Sequence, residues 1–87
     1  MQSINQMRLE FLSLPENESF ARVAVSAFTV QLNPTLDLIA DVKTAVSEAV
    51  TNAIVHGYNG SRGVVTVAAT LSPDGLLDVT VSDKGCG

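Results

Sequence analysis

Between Thr35 and His56 the chain places apolar residues at Ile39, Val42, Val46, Ala49, Val50, Ala53 and Ile54. With Glu48 set at zero on a wheel of about 100° per residue, these fall on the opposite arc, while Thr44, Glu48, Asn52 and His56 stack into one polar stripe. The pattern predicts a helix from about Thr35 to about His56 that must bury one arc against a second layer. Asn33-Pro34-Thr35 supplies its start, since Pro fits a first turn and Asn or Thr accepts hydrogen bonds from free N–H groups. Gly57 follows as a residue that tolerates positive φ, as helix C-termini often require.

The second layer is readable on both sides of that helix. Met7 to Ser13 alternates apolar Met7, Leu9 and Phe11 with polar Arg8 and Glu10, the period of a half-buried strand, until Pro15 and Asn17 end it. Glu16 to Leu32 reads as one helix, with Phe20, Val23, Ala24, Ala27, Phe28 and Gln31 at spacings of three and four, and with Glu16 and Glu18 in the first turn, where the helix dipole favours acids. Residues 58–63 form a loop by composition. Val64 to Leu71 and Leu76 to Val81 then read as a hairpin around the turn signal Ser72-Pro73-Asp74-Gly75. The order strand, helix, helix, strand, strand predicts an α+β fold, with helices layered on one face of a sheet.

Composition excludes several classes of function. With 46% hydrophobic and 16% charged residues among 87, the chain is one globular domain or a piece of one. Five Lys+Arg against nine Asp+Glu give a net charge of -4, and the basic residues are scattered between Arg8 and Lys84, so no basic stripe awaits a nucleic acid. No apolar run approaches the roughly 20 residues that cross a bilayer, and Met1 to Leu14 lacks the pattern of a secretion leader, which implies no membrane partner and a cytoplasmic location. A single cysteine, Cys86, rules out an internal disulfide framework and a multi-cysteine zinc site.

Two groups of residues could carry chemistry. Glu48 and Asn52, four apart on the second helix, project from one face about one turn from each other. A carboxylate can take a proton from an attacking hydroxyl, and an amide oxygen is a hard, uncharged ligand suited to Mg²⁺ beside a phosphate. Alone, such a pair more often belongs to a solvated helix face. The second group, Asp83-Lys84-Gly85-Cys86-Gly87, follows the last strand; its Asp can accept a hydrogen bond from the exocyclic amine of a base, and its glycines allow close approach of a ligand. Alone, it is also an ordinary glycine turn. His56 fits a simpler role, facing the carbonyl end of the helix dipole.

Taken together and in order, Glu-x-x-x-Asn-Ala on a helix, then a hairpin, then Asp-x-Gly-x-Gly, the sequence resembles the GHKL (Bergerat-fold) superfamily. The string from Ser47 to Tyr58, with Glu48-Ala49, Asn52-Ala53 and His56-Gly57-Tyr58, is similar to the anti-sigma factor serine kinases within it, and Asn17 to Val23 is similar to their first helix. The resemblance implies a two-layer α/β sandwich of the Bergerat type that binds ATP and Mg²⁺. It implies Glu48 as catalytic base, Asn52 as Mg²⁺ ligand, Asp83 on the adenine amino group with Gly85 and Gly87 shaping that end of the pocket, and Arg22 at a protein-partner surface. The expected partners are a sigma factor, held inactive, and an anti-anti-sigma factor, phosphorylated on a serine, with the kinase acting as a homodimer in the control of sporulation. Other readings are a general-stress anti-sigma kinase, a histidine kinase, or a non-catalytic interaction module on the same scaffold. A histidine kinase is disfavoured because the first helix contains no His and only about fifteen residues precede it.

The family continues past the first glycine box into an ATP lid, a second glycine box and further strands, none of which stands before Gly87. Residues 1–87 are therefore expected to be the N-terminal part of a single ATP-binding domain. Alone, this part is expected to expose apolar sheet surface and to show no measurable ATP binding.

Overall fold

The first strand lies 50 residues and more from its neighbour in sequence, yet the two pair along their whole lengths, so the sheet encloses the helices in the chain. The computed structural model describes residues 5–57 and 62–83. Its elements run β1 (Asn5–Leu12), α1 (Glu16–Thr29), a 3₁₀ turn (Val30–Leu32), α2 (Leu36–Asn52), a π turn (Ala53–Gly57), β2 (Val64–Leu71) and β3 (Leu77–Asp83). The strands form an antiparallel sheet in the order β1-β2-β3. This is the expected α+β arrangement.

Register explains which side of the sheet is buried. Directly opposed residues share a face, and Leu9 and Val81 flank Val67 while Met7 and Val79 flank Ala69. Val65, Val67, Ala69 and Leu71 are buried on that face, and Met7, Leu9, Phe11, Val79 and Val81 are partly so. The opposite face carries Arg8, Glu10, Thr66, Thr80 and Ser82. The alternation read in β1 therefore holds. Ser72 and Leu76 close the β2–β3 hairpin through an N–H to carbonyl bond of 3.0 Å, and Gly75 takes φ 83 within the turn, a conformation that glycine adopts without strain.

Against the inner face lie Ala21 and Val25 of α1, Val46 and Val50 of α2, and Ala53 and Ile54 of the π turn. The α2 arc is the one expected from its wheel, and the polar stripe Thr44, Glu48, Asn52 and His56 is exposed throughout. For α1 the expected face is corrected. Ala21, Val25, Ser26 and Thr29 are buried, whereas Phe20, Val23, Ala27 and Gln31 are exposed. The reason is that Ser26 and Thr29 return their hydroxyls to the carbonyls of Arg22 (2.7 Å) and Val25 (2.8 Å) and then pack as small, nearly apolar side chains. Phe20 instead sets its ring edge-on to Phe11 of β1, with centroids 6.3 Å apart.

Helix ends also differ from expectation in detail. The first helix tightens into the 3₁₀ turn before Asn33, which adopts the left-handed conformation (φ 51) and donates its N–H to Val30 O at 3.0 Å. Thr35 is the N-cap of α2, its Oγ1 accepting the Leu38 N–H at 3.1 Å, so Pro34 stands before the cap rather than inside the first turn. Thr35→Ala should lower unfolding free energy by about 1 kcal/mol, the usual value of such a cap, read as a shift in urea midpoint at constant slope. At its other end α2 widens into the π turn, and among the described residues only Asn33 and Gly75 have positive φ. Gly57 is therefore not the left-handed terminator expected.

Along β3 the packing stops short. Val42, Ala45, Val46 and Ala49 of α2 face Leu77, Val79 and Val81 across an open, mainly apolar cleft of about 380 Å³. No helix among the described residues is long and apolar enough to cross a membrane.

Candidate functional site

Because α2 spends its apolar arc on the sheet, its polar stripe is left facing outward, and that is where the acid and the amide stand. Ser47, Glu48, Thr51 and Asn52 line one shallow hollow of about 330 Å³. Glu48 also borders a second notch of about 210 Å³, shared with Lys43, Thr44 and Ser47 of α2 and with Arg22 of α1. Arg22, expected at a partner surface, and Glu48, expected to be the base, thus meet at one notch between the two helices. The arginine is held there by Glu18, one turn back, at 3.5 Å from Nε, and its Nη2 donates to Ser19 Oγ at 3.3 Å. Lys43 brings a second cation to the lining of the same notch, a residue that local spacing does not single out.

Asp83 reaches the helical layer from the sheet. It is the last residue of β3 and pairs with Val65, which puts it on the inner face in line with Val81 and Val79. Its carboxylate lies against Gly57: a Cβ on that glycine would stand 2.8 Å from Cγ and from both carboxylate oxygens. The π turn makes this approach possible by carrying the chain from the exposed stripe at Asn52 to the end of β3 within five residues. Among the described residues Asp83 lines neither hollow beside Glu48, so the acid and amide form one group and Asp83 with Gly57 another at the end of the same helix. Gly85 and Gly87 lie outside the described residues.

The donor set fits a magnesium nucleotide in chemical type. Among the described residues no hydrogen bond or ion pair engages the side chains of Glu48, Asn52 or Asp83, which leaves their oxygens available. No group of three or more His, Cys, Asp or Glu gathers among them either, so they hold no all-protein metal cage. Mg²⁺ commonly needs none, because it keeps several waters and shares its remaining positions with substrate phosphates and one or two protein oxygens. His56 is exposed in the last turn, where the helix dipole favours it.

Known proteins place the chain in a family. Residues 11–87 match the Histidine kinase-like ATPase domain family. The chain is 54% identical over 84 residues to an anti-sigma F factor of Priestia megaterium, covering 95% of this chain and 57% of that protein. It is 56% identical over 86 residues to one of Clostridium beijerinckii, covering 98% and 59% respectively, and 49% identical over 83 residues to one of a Geobacillus strain, covering 95% and 57%. The chain thus spans somewhat over half the length of these relatives. With an exposed Glu48–Asn52 stripe on α2, an aspartate at the end of β3 and a family match over most of its length, the chain belongs to the histidine kinase-like ATPase (GHKL) domain family.

Proposed function

We propose that the full-length protein is an anti-sigma factor that binds Mg-ATP, holds a sigma factor inactive and phosphorylates a serine of an anti-anti-sigma factor, working in the cytoplasm as a homodimer. The observation that carries this reading is the meeting of Glu48 with Arg22 and Lys43 at one notch, one turn from Asn52, on a scaffold of this family. A base for the incoming hydroxyl and a ligand for the metal then lie one turn apart on α2, with cations at the same notch from both helices, Lys43 of α2 and Arg22 of α1. The names of the relatives, all anti-sigma F factors, support the sigma-binding half of the proposal.

Chemically, the serine hydroxyl of the partner forms a new O–P bond to the γ-phosphorus while the bond from that phosphorus to the β-bridging oxygen breaks. Glu48 takes the hydroxyl proton. Phosphoryl transfer leaves little covalent work to a protein, so positioning and charge neutralisation dominate. Magnesium held by Asn52 and the phosphates would supply the neutralisation. Asp83 would accept a hydrogen bond from the adenine amino group, and Gly85 and Gly87 would shape that end of the pocket. Arg22, fixed by Glu18 at the rim of the notch, would meet the partner protein.

The test is incubation of full-length protein with γ-labelled ATP and an anti-anti-sigma partner, beside a partner whose acceptor serine is alanine. Label on the serine form alone is expected. Bound nucleotide with no transfer to either form would remove the kinase and leave a non-catalytic binding module.

A further inference from the structure

We propose that Gly57 is a positioning residue for nucleotide recognition: the absence of its side chain sets where the Asp83 carboxylate rests and so where a base can be read. The inference depends on the reading of Asp83 as the adenine contact.

Glycine at 57 has no conformational explanation. The residue lies in the π turn without positive φ, a backbone that alanine adopts with better helix propensity than glycine. What excludes a larger residue is space alone, since an added Cβ would fall 2.8 Å from Cγ, Oδ1 and Oδ2 of Asp83. Three contacts at that distance bring the flat carboxylate against the glycine backbone. Asp83 is exposed at the end of β3, so its side chain can rotate away from a methyl group without disturbing the core beneath. A methyl at 57 should therefore change where the carboxylate points and change the fold very little. A carboxylate that reads one exocyclic amine depends on direction, because a hydrogen bond weakens steeply once its geometry departs from linear. The wide π turn belongs to the same device: it carries Gly57 under β3 while leaving Asn52 on the exposed stripe. Such turns often occur at functional sites.

The experiment uses full-length protein, titrated calorimetrically with Mg-ATP and with the Mg complex of purine riboside triphosphate, which lacks the 6-amino group. Gly57→Ala is expected to weaken Mg-ATP about tenfold to a hundredfold, the range of one lost hydrogen bond to a charged group. Affinity for the amine-free nucleotide should change by less than about threefold, a gap that loss of fold would not produce. In an Asp83→Ala background the Gly57→Ala change should add nothing, and any fall in Tm that Gly57→Ala causes should be regained there. Equal losses for both nucleotides, or a full extra loss in the Asp83→Ala background, would overturn the positioning role. So would a Gly57→Ala protein that binds Mg-ATP as well as the unsubstituted one while Asp83→Ala does not. If Asp83→Ala itself leaves both affinities unchanged, the adenine reading fails first and takes the inference with it.

Discussion

Asn52→Ala in the full-length protein is expected to weaken Mg-ATP binding by about a hundredfold or more, equivalent to about 2.7 kcal/mol, while leaving the fold intact. The fold should survive because Asn52 is exposed at the end of α2 and its amide engages no hydrogen-bond partner among the described residues. Alanine there also has the higher helix propensity. The loss of binding follows from the small number of protein oxygens that this site offers a metal. Glu48, one turn away, would be taken up by the proton, and the hydroxyls of Ser47 and Thr51 in the same hollow are shorter than the amide arm and reach less far toward a metal. Calorimetric titration with Mg-ATP, beside thermal unfolding in the absence of nucleotide, separates the two effects. Unchanged affinity in a folded Asn52→Ala protein would show that the metal is held elsewhere.

Glu48→Gln should behave in the opposite way, keeping nucleotide and losing transfer. The substitution retains shape and hydrogen-bonding capacity but removes the negative charge and the ability to accept a proton at neutral pH. Single-turnover transfer to the anti-anti-sigma partner should fall by about 10²- to 10⁴-fold, the usual contribution of a positioned general base. Binding of Mg-ATP should be retained or slightly tightened, since the phosphates would have one negative charge fewer near them. Transfer at the unsubstituted rate would assign the base to another group. Taken with Asn52→Ala, these two outcomes would divide the stripe into a binding residue and a reacting residue only one helical turn apart.

How much of this was readable in advance differs between the two helices. Along α2 and the π turn the inward apolar side chains are β-branched or small and recur without interruption, so the wheel identifies the buried arc of Val46, Val50, Ala53 and Ile54 and the exposed stripe of Glu48 and Asn52. In α1 the same procedure selected Phe20, Val23 and Ala27, which are exposed, because hydrophobicity by residue type counts Ser26 and Thr29 as polar. Their hydroxyls bond to the backbone one turn earlier, and only then can these positions pack closely. That satisfaction depends on rotamer and on the neighbour helix, neither of which is written in local periodicity. Gly57 was misread for a related reason. A glycine after a helical run usually marks a left-handed cap, whereas here the deciding atom belongs to Asp83, on a strand 26 residues later.

Local order alone determined the main elements, the hairpin, the face of α2 and the exposure of the Glu48–Asn52 stripe, since each rests on interactions within a few residues: periodicity, turn chemistry and spacing along one helix. Tertiary structure decided the burial of Ser26 and Thr29, the meeting of Arg22 with Glu48, and the contact of Asp83 with Gly57. These depend on how closely separate elements approach, and such distances are set by mutual packing of the sheet and both helices, which no segment carries by itself.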